Sequence, residues 1–382
     1  MTLLAVFLEF SINCVTLYNN NFAYPIRKGD WTMTTAHWLA TMPKVDLHVH
    51  LDGSLTPDTL IALASFQGIP LPEREPERLL PYMQVGESCC ENLAEYLTKF
   101  DFVLPYLQTG DALAFVATEA VRQAAEHGVR YLEIRFAPQL HRNRGLSALH
   151  TIRHVIHGLT LGERQYGVKS RAIAICMRHH SIEANLEVIE AAAACLGQGL
   201  VAVDLAGDEA AYPAALFREA FERAVELGIP VTIHAGEAAG PDNIEEAVVR
   251  LGATRIGHGV RVREDERVLA LVRDRRIPLE LCPTSNVQTR AVGGWEDYPI
   301  RDYLSRGLLV TVNTDNPGVS GTSITQEYEA LVDHFGFLPN EIADLILNGV
   351  EAAFLEAEEK EELRREMKTE LEEVLRKIAV LR

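Results

Sequence analysis

The chain has 382 residues, 47% of them apolar and 24% charged, with a formal net charge of −18. This is globular composition with length for a sizeable core, and its acidic balance argues against a nucleic-acid binder, which grips phosphates with clusters of Lys and Arg. The six cysteines include no CxxC pair, so neither a disulfide scaffold nor a cysteine zinc site is suggested, and a reducing cytoplasm is expected.

In chain order, the apolar stretch MTLLAVFLEF comes first. Glu9 interrupts it, no basic segment precedes it and no small-residue cleavage site follows. It is also too short to span a bilayer. Met33 then opens MTTAHWLATMPKVDLHVH. Residues 1–42 are therefore expected to be an extension, with residues 1–32 taking no part in the fold, and residues 43–382 a single domain.

Eight short β-branched runs follow: KVDLHVH near 45, VRYLEIRFAP near 131, SRAIAICMR near 172, LVAVDLAGD near 201, PVTIHAGE near 231, TRIGHGV near 255, IPLELCPTSN near 278 and LLVTVNTDNP near 309. Helical patterns separate them. The clearest is 213–228, where Phe217, Phe221, Ala224 and Val225 recur at helical spacing and Gly228 supplies a stop. Strands alternating with helices predict a parallel (β/α)₈ TIM barrel, an α/β fold. The gap between the first two runs is long, and residues 55–128 are expected to form a helical insertion that could lie over the barrel mouth. The final stretch, EAEEKEELRREMKTELEEVLRKIAVLR, mixes charge signs and predicts a solvated C-terminal helix.

The runs start apolar and end in His, Asp, Glu, Cys and Asn. In a barrel of this kind the C-terminal strand ends build the active site. His48, His50, His234, His258 and Asp315 all fall at such ends, whereas His127, His150, His154 and His157 sit in helical stretches and read as surface or packing residues. His48 and His50 are two apart, so a strand turns both to one side. Two such imidazoles can bind a metal, or one can be a core histidine and the other exposed.

The segments HVHLDGS (48–54), DLAGDE (204–209), HAGEAAGPDNI (234–244), IGHGVR (256–261), LCPTSN (281–286) and NTDNP (313–317), in this order, resemble the adenosine deaminase family of zinc-dependent amidohydrolases over residues 43–350. The resemblance implies one zinc ion per chain, held by His48, His50, His234 and Asp315, a donor set of three nitrogens and one oxygen that suits zinc. The fourth run has no lysine to bridge a second metal. By the same resemblance Glu237 is the acid that protonates purine N1, His258 stands near the attacking water, and Asp315 also orients it. His50, Asp52, Gly207 and Asn316 would face the substrate: Asp52 accepting from the ribose 5′-hydroxyl and repelling a 5′-phosphate, Gly207 bringing a backbone N–H to N3, and Gly53 turning the chain. Asn316 departs from the family's common aspartate, but its amide can still donate to N7. His179 and His180 have at most a part in lining the mouth.

The implied reaction is hydrolysis of adenosine or deoxyadenosine to inosine or deoxyinosine with release of ammonia. A purine nucleoside is then the expected partner, with no nucleic acid and no membrane; the sequence gives no oligomeric state. Close alternatives are a modified adenosine such as aminodeoxyfutalosine, and adenine, which Asp52 disfavours. A non-catalytic metal-stabilised barrel would have lost one of the six central residues, and none is lost. The H-x-E and P-C-x-x-C signature of the other zinc deaminase architecture is absent.

Overall fold

A computed structural model describes residues 35–85, 90 and 93–380. The strands are β1 Lys44–His50, β2 Val129–Phe136, β3 Lys169–Met177, β4 Leu200–Ala206, β5 Thr232–Ala235, β6 Arg255–His258, β7 Leu279–Leu281 and β8 Val310–Val312. Each falls on one of the eight runs. They are apolar and nearly continuous because parallel strands under helices are buried on both faces.

The strands pair in parallel and in chain order as two four-stranded sheets, β1-β2-β3-β4 and β5-β6-β7-β8. The sheets meet at both edges through single parallel bridges, Val203 with Val231 and Val49 with Asp315. At the second seam the Asp315 N–H donates to the His48 carbonyl at 2.7 Å, and the His50 N–H to the Asp315 carbonyl at 2.8 Å. This lays the chain after β8 against the end of β1.

The last runs are strands only in their first halves. Cys282-Pro283 starts helix Pro283–Gln288, and Asn316-Pro317 starts helix Pro317–Ser320. Proline suits the first helical position, where its missing N–H costs nothing. Asp315 and Asn316 therefore lie on the loop beyond β8.

Part of segment 55–128 belongs to the barrel. Gly110–Glu126 is the connecting helix that leads into β2, and it packs on helix Ala148–Tyr166. Contact is backbone-close: a Cβ on Gly158 would meet the Ala114 carbonyl oxygen at 2.2 Å, and one on Gly110 the His154 ring at 2.3 Å. His154 is thus a packing residue, as expected. The inserted part holds helices Pro57–Gln67, Pro76–Met83, Leu93–Leu97 and Phe100–Val103. Its Val85, Cys90 and Tyr96 pack with Val319 beyond β8, so the insertion does cover the mouth.

Three expectations need revision. Residues 214–226 form a 3₁₀ turn and then a helix, Arg218–Glu226. Phe217, Phe221 and Ala224 are buried, but Val225 is 52% exposed, because it falls at the edge of that apolar stripe. Residues 35–42 are not peripheral: Thr35–Thr41 is a helix, and Trp38, Leu39 and Met42 belong to the main core. The segment 1–32 lies outside the described residues. The C-terminal helix, Ala357–Val380, is solvated on one face only. Leu363, Met367, Leu371, Val374 and Ile378 are buried, and it packs on helices Pro339–Ala352 and Thr35–Thr41. Leu371→Ala is expected to destabilise the protein by about 2–5 kcal/mol through the cavity it leaves. An unchanged denaturant midpoint would show that this helix does not dock.

Candidate metal centre and active site

The strand ends and the loop beyond β8 bring three imidazoles and one carboxylate together. His48 Nε2 and His50 Nε2 each lie 3.3 Å from Asp315 Oδ1, and His50 Nε2 lies 3.2 Å from His234 Nε2. Four donors around one zinc at 2.0–2.1 Å in a tetrahedron stand roughly 3.3 Å apart. The spacing therefore suits such an ion. His48 Nε2 is buried and makes no hydrogen bond, an orphan that a metal would satisfy.

The outer partners fix which nitrogen is free. His48 Nδ1 lies 2.6 Å from Glu280 Oε2, and His234 Nδ1 lies 3.0 Å from Asp204 Oδ2. Carboxylates accept, so these Nδ1 atoms carry the hydrogens and each Nε2 keeps a lone pair for a metal. His258 is arranged the opposite way. The Cys282 N–H donates to Asn286 Oδ1 at 3.2 Å, which turns the Asn286 amide nitrogen toward His258 Nδ1 at 2.9 Å. That amide donates, so neutral His258 carries its hydrogen on Nε2. A ring nitrogen of His258 lies within 4.8 Å of ligand atoms of His48, His234 and Asp315, but its Nε2 carries the hydrogen and so is a donor and not a ligand. Burial, then the neighbouring His48, holds its pKa well below the usual histidine range.

His258 Nε2 faces Glu237 Oε2 at 3.5 Å, and the Thr289 hydroxyl donates to Glu237 Oε1 at 3.2 Å. Burial, then the charges of Asp315 and Glu209, pushes the Glu237 carboxyl well above the ordinary range. Glu237 borders a cavity of about 490 Å³, which Asp208, Thr289 and Leu93 of the insertion also line. Asp315 takes a hydrogen bond from the Ser285 hydroxyl at 2.6 Å.

The chain matches the adenosine deaminase family profile over residues 43–370. It belongs to the adenosine deaminase family. An Enterococcus faecalis adenosine deaminase is 42% identical over 319 residues, 84% of this chain and 94% of that protein. Among solved structures, an adenine deaminase from Arthrobacter aurescens aligns with a TM-score of 0.79 and 31% identity, covering 88% of this chain and 99% of its own. A Burkholderia ambifaria amidohydrolase solved with bound zinc aligns at 0.81 and 26%, covering 93% and 97%.

His48, His234 and His258 are buried at the strand ends and Glu237, Asp315, Asp52 and Asn316 are buried in the loops just beyond them, with His50 partly buried. Asp52 begins the turn Asp52–Ser54, and burial raises its pKa to about 6. Gly53 is not in the left-handed region. It is required by space, since a Cβ there would meet Asn316 Oδ1 at 2.1 Å. Gly207, with φ of 110°, does need glycine's freedom. His179 is exposed and meets His180 edge to face, with ring centroids 4.6 Å apart.

Several residues escaped the sequence reading. Glu280 lies midway through an apolar run, and its charge was the available signal. Asp204 and Glu209 stood inside the quoted DLAGDE. Tyr96 gave none: its hydroxyl lies 2.7 Å from Ser320 Oγ and neighbours Ser285 and Asn316. Glu280→Gln is expected to weaken zinc affinity roughly 10–100-fold, as loss of an outer partner does. Zinc titration against a competing chelator would check this, and unchanged affinity would show that Glu280 does not support His48.

Proposed function

We propose that this chain hydrolyses adenosine and deoxyadenosine to inosine and deoxyinosine, releasing ammonia, with one zinc ion held by His48, His50, His234 and Asp315. The observation that carries this reading is the convergence of a buried carboxyl, Glu237, and a hydrogen-donating imidazole, His258, 3.5 Å apart beside that ligand group. Zinc bound there would make hydroxide available from water near pH ~7.

Attack at C6 requires a proton on ring nitrogen N1. Glu237 is the group placed to supply it: burial first, then the charges of Asp315 and Glu209, pushes its carboxyl above the ordinary range, toward the acid form. Thr289 steadies the oxygen that does not transfer the proton. His258 donates its Nε2 hydrogen toward the attacking oxygen, and Asn286 holds the ring in that tautomer. Asp315 orients the same oxygen, with its second carboxyl oxygen held by Ser285. Asn316 donates to N7 and the Gly207 N–H approaches N3.

Asp52 favours a nucleoside over a nucleotide or free base. Its carboxylate accepts from a 5′-hydroxyl and repels a 5′-phosphate. The insertion, roofing the cavity with Leu93, would decide whether a larger 5′ group fits. A cytoplasmic place in purine metabolism fits the buried thiols of Cys176, Cys195 and Cys282, and no helix among the described residues is long and apolar enough to cross a membrane.

Glu237→Gln keeps the side-chain shape and all proposed ligands but cannot transfer a proton. Turnover is expected to fall by ~10²–10⁴ with zinc content unchanged. Near-parental turnover, or loss of zinc, would sink the assignment. Asp52→Ala is expected to impair adenosine more than free adenine. An equal proportional loss in kcat/KM on both would make Asp52 a structural turn residue.

A further inference from the structure

The turn after β5 is gripped by a residue that the chemistry above leaves without a task. Gly236 has φ of 70°, and a Cβ there would meet Ile244 at 2.4 Å, so only glycine fits. In this conformation four successive N–H groups converge, an arrangement that binds anions. The Glu209 side chain fills it. Glu209 Oε1 accepts from the Gly236 N–H at 2.7 Å, and Oε2 from those of Glu237, Ala238 and Ala239 at 3.0, 2.9 and 3.0 Å. Glu209 is 2% exposed. On the other flank the Arg178 guanidinium donates to the carbonyls of His234 at 2.7 Å and Tyr212 at 2.5 Å. The segment carrying both His234 and Glu237 is thus clamped through its backbone by residues from the β3 and β4 ends.

We propose that Glu209 is a positioning residue for the general acid: by holding the four N–H groups of residues 236–239 it keeps the Glu237 carboxyl aimed at His258 and the substrate ring. This rests on the reading of Glu237 as the proton donor. Charge-assisted bonds of this kind are roughly twice as strong as neutral ones, and small misplacements of a catalytic group are costly in rate. The Glu209 charge also faces Glu237 and, with Asp315, opposes its ionisation.

Glu209→Gln keeps length and shape but sets an amide nitrogen against N–H donors. On the zinc-loaded enzyme with adenosine, kcat is expected to fall roughly 10–100-fold, KM to stay within about threefold, and zinc content to match the parent. Glu209→Asp, with a carboxylate on a shorter stem, is expected to recover part of the lost kcat. The proposal is overturned by a kcat within about twofold of the parent, by loss of zinc along with activity, or by a raised KM at intact kcat. If the glutamine variant does not fold, the aspartate variant is judged alone: a kcat reduced with KM and zinc retained supports the proposal, and the same three outcomes overturn it. Glu237→Gln measured alongside separates the two ideas. Near-parental turnover there removes the acid itself, whereas its collapse beside a normal Glu209 variant removes only the positioning role.

Discussion

A single carboxylate under the site, Glu280, organises the barrel interior. It accepts from His48 Nδ1, from Arg135 Nη2 at 2.7 Å, from the Thr232 hydroxyl at 3.0 Å and from Arg255 Nε. Burial opposes its charge, but Arg135 and Arg255 outweigh burial and hold its pKa well below the usual range. Arg135 continues to Asp204, the partner of His234, and Arg255 to Glu133. Three carboxylates thus share two guanidiniums, and the remaining demand for hydrogens falls on the imidazoles. That demand fixes the tautomers of His48 and His234. Removing one member of such a network strands buried charge, at a cost of about 3–5 kcal/mol.

Above this layer the backbone is held in unfavourable conformations. His258 and Asp315 have φ of 61° and 62°, the left-handed region that side chains avoid. Each costs on the order of 1–3 kcal/mol and persists only where the surroundings dictate it. For Asp315 the dictation is the double backbone bridge to β1. For His258 it includes the Gly259 N–H donating to the Ala235 carbonyl at 3.1 Å. Gly257 completes the fit, since a Cβ there would stand 3.1 Å from the His48 ring.

Much of this was legible in the sequence. Strands buried on both faces betray themselves as β-branched runs, and the barrel rule assigns chemistry to their C-terminal ends, so the imidazoles and Asp315 could be found by position. What escaped depends on partners remote in sequence. A glutamate inside LELCP gives no sign that His48, 232 positions away, is its partner. The grip of Glu209 on residues 236–239 is a backbone contact, and side-chain patterns do not encode it. Gly53 looked like a turn glycine because Asn316, which needs its space, is distant along the chain. The docked face of the last helix was masked by its abundant charge, although its apolar residues recur every three or four positions.

The seam between the first strand and the loop after the last has a consequence for the order of assembly. Thr314 donates to Asp46 at 2.7 Å across 268 positions of chain, and the neighbouring Asp315 completes a donor set begun by His48 and His50. A growing chain that has made only its first six strands holds three of the four donors and none of the backbone bridge that orients them. Such long-range pairings form late, after much loop-closure entropy has been lost. A cation held by these four donors, as proposed, would make capture and ring closure one thermodynamic event: binding only the closed form, it would add its binding free energy to the seam, and opening the seam would release it.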